Sequence, residues 1–438
     1  MTPIPSIDQG PRPAAPADDG ERGAPERFDG SFTQQEPIPE DAIARAVDLM
    51  RTGRLHRYNT GPDETSEAVL LEQEFAAATG ARYALAVTSG GHALSIALRA
   101  VGVGHGDRVL TNGFTLAPVP GAIASVGGEP VLVEITDDLV IDLGDLAAKA
   151  RASGARVLML SHMRGHLADM HALTALCRDL DLTLIEDCAH TMGAAWGGTP
   201  SGRFGQIGCF STQTYKHINS GEGGLIITDD AEAMARMTVL SGSYMLYARH
   251  EAGPPPETFD GIRLETPNCS GRMDNLRAAI LRPQLARLDA QRDRWNALYG
   301  RVAGALGSCP EIVLPNRPRA ETYVGSSIQF RLPALAAPAI ERMIARCSAR
   351  GVDLKWFGPA DPVAFTSRHV SWTFVPPQSL PATDAILAQL IDMRLPLTFS
   401  VDDCNQIARI IIDEVRRASG DTETALTEKM KQAEGVPA

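Results

Sequence analysis

Lysine is almost missing from this chain, occurring only at Lys149, Lys216, Lys355, Lys429 and Lys431 among many arginines. There is no basic excess either: the formal net charge is −12, which argues against a general nucleic-acid or anionic-membrane binder because both surfaces would repel it at long range. The seven cysteines stand singly, with no CxxC and no cysteine/histidine cluster of zinc spacing, so neither a metal site nor a disulfide framework is written in them. Their odd number, and an N-terminal stretch unlike a secretory signal, point to a reducing cytoplasm. Apolar runs are broken by charge well short of membrane-spanning length, so no transmembrane helix is expected.

What is present is the composition of a globular protein, 44% hydrophobic and 21% charged, in a chain of 438 residues that suits two or three domains. Residues 1–30, rich in Pro, Ala, Gly and Asp and without periodicity, read as a disordered leader, and residues 419–438 as a polar tail. Between them, apolar runs of strand length recur at Tyr83 to Val87, Val131 to Ile135, Val157 to Leu160, Leu182 to Ile185 and Leu225 to Thr228. They alternate with helical patterns such as His92 to Val101 and Met170 to Asp179. This predicts an α/β fold: a mainly parallel sheet covered on both faces, in a large domain over 31–300. Met273 to Leu298 reads as one long helix leaving it. A strand at Ser326 to Leu332 and helices at Ala339 to Arg350 and Asp403 to Arg417 predict a smaller α+β domain over 301–418.

Three short stretches fall at predicted strand ends, where ligands of open α/β sheets collect. TSGGHAL, Thr88 to Leu94, exposes the amides of Gly90 and Gly91 at a helix start, which suits a phosphate; taken alone, it reads first as a plain strand-to-helix turn. LTLIEDCAH places Glu186 and Asp187 at a strand end, where a buried carboxylate needs a cationic partner; helix capping by Asp187 is the alternative. FSTQTYKHINSGEGG, Phe210 to Gly224, holds Lys216 before the glycines, the reverse of a P-loop; taken singly, it is a solvated loop lysine. Together the three supply amides and hydroxyls for a phosphate, an acid for a ring nitrogen and a primary amine for an aldehyde. Pyridoxal 5'-phosphate requires that set. Arginine cannot form a Schiff base, which explains why the scarce residue stands here.

The order TSGG, IEDCAH, then FSxxxxK with GEGG resembles the DegT/DnrJ/EryC1/StrS aminotransferases, fold-type-I pyridoxal phosphate enzymes acting mostly on sugars and cyclitols. RLHRYNTGP, Arg54 to Pro62, is similar to that family's WxTxGP segment, GHLADM to its GxPADM-like turn, and SGRMDNLRAAI to its NxRMxxxQAAI helix start. The resemblance covers about residues 35 to 300, and the C-terminal domain only loosely.

It implies that Lys216 carries the cofactor and shuttles a proton, that Asp187 pairs with the pyridine nitrogen, and that His190 lies near the cofactor's ring oxygen, unless it is structural. Ser211 with the amides of Gly91 and His92 would hold the phosphate. In the family an asparagine of the neighbouring subunit joins them, implying a homodimer with shared sites; here Ser270 is aligned, with Asn268 two residues upstream. The chain departs from the pattern at Gly91, where a threonine is usual, at Leu116, where an aromatic stacks on the ring, and at Arg164, where tyrosine is common. Phe114, whose placement the pattern does not fix, does not stand in for the aromatic. Arg164 could clamp a carboxylate or phosphate, a surface arginine being the alternative, and His56, Arg57, Tyr58 and Asn59 are further candidates for substrate contact.

The leading expectation is an aminotransferase with glutamate or glutamine as donor and a keto-sugar, cyclitol or related ketone as acceptor, working by ping-pong kinetics, with no metal and no nucleic-acid or membrane partner. A lyase, dehydratase or cyclase on the same scaffold is the alternative, though the family's sugar dehydratases carry histidine in place of the lysine. A non-catalytic regulator is the third reading; nothing resembles an appended helix-turn-helix.

Overall fold

A computed structural model describes residues 26–433 apart from 62, 244, 364 and 365. Most of the expected leader, and Pro62 of the RLHRYNTGP segment, therefore lie outside the described residues. The end of that leader is packed: Phe28 and Phe32 are buried edge-on against Phe399, and the Phe28 amide donates to the Arg350 carbonyl.

Seven strands form the central sheet, in the order Tyr83–Val87, Gly224–Thr228, Ile207–Ser211, Thr183–Asp187, Val157–Ser161, Arg108–Asn112, Glu129–Val133. Only Gly224–Thr228 runs against the others. The strands carry apolar side chains on both faces because both are covered. Leu85 and Val87 join one buried cluster with helices Gly90–Ala100 and Ala231–Ser241, while Ala84 and Ala86 join another with helix Glu67–Thr79. Val87, Ser161, Asp187 and Ser211 thus end at one edge of the sheet. The hairpin-like return from Ser211 to Gly224, which are directly paired, carries Lys216 over that edge.

Three differences from the sequence reading have physical reasons. Strand Ile207–Ser211 was not expected, because Gly208 and Ser211 dilute its apolar pattern. Gly208 is required, since a Cβ there would lie 2.6 Å from the Gly202 carbonyl oxygen. The long helix expected over Met273 to Leu298 is two, Asn275–Leu285 and Leu288–Leu306, parted at Ala286 and Arg287, where the Arg287 amide turns to the Gln284 carbonyl three residues back. The closing helix runs over Val401–Ala433, into the stretch expected to be a tail.

A second sheet, Ser327–Arg331, Leu390–Arg394 and Lys355–Trp356, is antiparallel throughout and backed by helices Ala337–Ala349 and Val401–Ala433. One buried cluster runs from Leu158 and Leu160 of the central sheet through Trp295 and Val302 to Phe330, Ile391 and Met393 of this one. Among the described residues no helix is long and apolar enough to cross a membrane.

Candidate active site

The edge where the strands end opens into a cavity of about 490 Å³, within the range of small-molecule sites, roughly 300–1,000 Å³. Gly90 and Gly91 begin a helix on one side, with Ser89 capping it and Ser211 facing it. The approach is close: a Cβ on Gly90 would lie 2.9 Å from that of Ser211, whereas one on Gly91 would meet nothing within 4 Å. The glycine pair therefore brings amide donors against a serine hydroxyl at the positive end of a helix, a setting for a phosphate.

Asp187 enters the cavity from its strand end, 7% exposed. It accepts from the Ser161 hydroxyl at 3.0 Å and the Ala189 amide at 3.1 Å, and has no ion pair among the described residues. A buried carboxylate with only neutral donors is set for a cation inside the cavity. Its neighbour Glu186 points the other way and is saturated, accepting from the amides of Gly202, Phe204 and Gly205 and from His162. Glu186, His162 and Cys188 lie close enough to hold a metal ion, but Glu186 is spent on those protein donors, so the trio is a structural knot.

Lys216 faces Asp187 across the cavity rim, and its amine is 2.9 Å from Nε2 of His190. Burial pushes the Lys216 pKa down to about 7; Asp187 opposes this, and Arg164 and Arg394 add to it. Burial, then Lys216, hold His190 well below the usual imidazole range, so it stays neutral and accepts from the amine. Leu116 closes a further wall. Amide and hydroxyl donors, an acid with no ion pair among the described residues and an amine whose pKa burial lowers together fit pyridoxal phosphate, and they come from the motifs that the sequence singled out.

The sequence profile of the DegT/DnrJ/EryC1/StrS aminotransferase family matches residues 38–412. The chain belongs to that family. It is 32% identical over 327 residues to 3-amino-5-hydroxybenzoate synthase of Amycolatopsis mediterranei, covering 74% of this chain and 79% of that one. A crystal structure of 3-amino-5-hydroxybenzoic acid synthase superposes with a TM-score of 0.75 at 28% identity, over 88% of this chain and 99% of the other. DesV of S. venezuelae, solved in complex with a ketimine intermediate, gives 0.71 at 27% identity over 85% and 94%. The fold is accordingly that of pyridoxal phosphate-dependent aminotransferases, and this chain is an aminotransferase of the family.

Not every residue singled out from the family's pattern lines the cavity. The His92 amide donates to Ser89 Oγ at 3.1 Å, and its ring lies against Gly271, away from the opening. Arg57 and Tyr58 face inward instead. Arg57 makes two 2.8 Å bonds to the buried Glu72, and the Tyr58 hydroxyl donates to Nδ1 of His250. Asn268 and Ser270 are exposed, with the Ser270 amide bonded to Asn268 Oδ1, and line no part of this chain's cavity. Phe114 is buried edge-on against Phe357. Arg164 is buried, not a surface residue, and lines a smaller adjoining cavity with Arg394 and Tyr215. Gln213 lines both cavities, Ser161 the larger and Arg394 the smaller; none was singled out from the sequence, although Gln213 lies inside the Phe210 to Gly224 stretch. Ser161, the residue directly after the expected strand Val157 to Leu160, had no signal beyond its place at a strand end.

Proposed function

We propose that this chain transfers an amino group from glutamate or glutamine to a keto-sugar, cyclitol or related cyclic ketone, with pyridoxal 5'-phosphate bound in the larger cavity. The observation that carries this is Lys216 beside His190 at the mouth of a cavity whose floor is the unpaired Asp187. When bound, the cofactor supplies an electron sink for the carbon that loses or gains the amine. Ser211, Ser89 and the amides of Gly90 and Gly91 would hold its phosphate, and Asp187 its ring nitrogen. Ser161 fixes Asp187 by hydrogen bond and so fixes where that charge is felt. Leu116 would pack on the ring and keep water from one face. Lys216, freed when a donor amine takes its place, is positioned to take a proton at one carbon and return it at another, and its lowered pKa suits both steps. His190 would orient that amine.

Asn268 and Ser270, exposed in one chain, suit a role toward the phosphate of a neighbouring copy, which makes a homodimer with shared sites part of this reading. The unpaired thiols of all seven cysteines suit a reducing compartment such as the cytoplasm.

The test is to load the purified protein, add a panel of amino donors and follow the cofactor's absorbance from its aldehyde to its amine form. Conversion by glutamate or glutamine, and its reversal by a cyclic ketone, is the expected outcome. Inertness toward every donor, together with turnover of a substituted amino acid, would replace this reading with a lyase.

A further inference from the structure

Beside the cofactor cavity lies a second of about 90 Å³, sharing Lys216, His190, Gln213 and Leu116 with it. Arg164 reaches it from the turn after strand Val157–Ser161, and Arg394 from the end of the small-sheet strand Leu390–Arg394. Arg164 has φ of +55°, a left-handed backbone that a non-glycine residue adopts only where its surroundings impose it. Its side chain is 6% exposed and its Nε has no hydrogen-bond partner among the described residues. One terminal nitrogen lies 2.7 Å from Oδ2 of Asp392.

Asp392 is fully buried and held in turn: Gln329 donates to its Oδ1 at 2.7 Å, and Gln329 bonds His166 at 2.8 Å. Arg394 lies over the Tyr215 ring at 3.7 Å, which sets the plane of its guanidinium one residue from Lys216. Lys355 pairs across the small sheet with Asp392 and adds positive charge, offset in part by Asp353. Two guanidiniums, one from each lobe, thus converge next to the reactive amine around a single buried carboxylate that is already bonded to Gln329. Two guanidiniums that share one buried counter-ion call for a further anion, and two planar forks suit a carboxylate.

We propose that Arg164 and Arg394 form a carboxylate subsite used in both half-reactions, so that the acceptor ketone, like the amino acid donor, bears its own carboxylate. The inference rests on the aminotransferase reading and narrows its acceptor class. Donor and acceptor occupy the same space in turn. A neutral ketose would offer this pair of arginines, which share one buried counter-ion, only hydroxyls that carry no charge.

Calorimetry on the loaded enzyme with cyclohexanecarboxylate and with cyclohexanecarboxamide tests this without turnover. The acid should bind at least tenfold more tightly than the amide, and Arg394→Gln should reduce that preference below twofold, with Arg394→Lys retaining part of it. Arg164→Gln should do the same; if loss of its buried ion pair prevents folding, the half-buried Arg394 decides. In the first half-reaction, glutamine should outpace its decarboxylated analogue 4-aminobutanamide by at least a hundredfold, and that ratio should fall at least tenfold in Arg394→Gln. Equal binding of acid and amide, or a preference kept by the folded variants, would overturn the proposal. So would a nucleoside diphosphate that displaces cyclohexanecarboxylate through the same arginines, since the site would then read phosphate. If no donor converts the cofactor while the arginine-dependent preference persists, the subsite stands and the aminotransferase reading fails.

Discussion

Lys216 works through its surroundings. A free lysine is almost wholly protonated at neutral pH, whereas here burial brings its pKa to about 7. Only the neutral amine attacks an aldehyde, so loading of the cofactor-free protein should be slow below pH 7, accelerate as pH rises through 7 and level off above it. Stopped-flow absorbance would show this, and an inflection near 10 would refute the assigned environment. Lys216→Ala should abolish covalent attachment outright, read as loss of the pyridoxyl peptide after borohydride reduction and digestion. Asp187→Asn removes the one charge aimed at the ring nitrogen and should lower kcat by about 100-fold or more, with the phosphate still bound and KM for the donor little changed.

At the scale of elements, the segment before the first sheet strand is anchored by charge. Arg57 crosses to helix Glu67–Thr79, bonds Glu72 with both terminal nitrogens, and shares His250 with Tyr58; Glu72 also accepts from the Ala86 amide. Burial and Arg57 push His250 down to about 4, so Nδ1 remains an acceptor near neutral pH. Glu72→Gln would strand a buried guanidinium and should cost about 3–5 kcal/mol by urea denaturation. The same elements show what the sequence could and could not tell. Strand Tyr83–Val87 was legible from five consecutive apolar residues, and the motif-bearing ends of Thr183–Asp187 and Ile207–Ser211 from residue types that only one chemistry needs together. Arg57, a candidate for substrate contact from its motif, turns to Glu72, because a motif fixes where a residue sits along the chain but not which way its side chain turns. Arg394 was invisible for a related reason: its partners lie 179 and 230 positions away, at Tyr215 and Arg164, and no local pattern encodes so distant a meeting.

For the whole molecule, the proposed sharing of sites between two copies makes a sharp prediction. A mixture of Lys216→Ala chains with chains carrying Asn268→Ala and Ser270→Ala should recover about a quarter of wild-type activity after subunit exchange, because each mixed dimer keeps one intact site of its two. Absence of recovery, with each variant inactive alone and exchange verified by mass, would mean that each chain builds its site unaided.

The apolar cluster that runs unbroken from Leu160 to Met393 bears on how substrates get in. Swinging the two lobes apart like jaws would wet that shared apolar seam, so the mouth beside Lys216 should keep nearly the same width whether empty or filled. Selection among ketones then falls to the fixed furniture of the doorway and not to a clasp that shuts on the right guest.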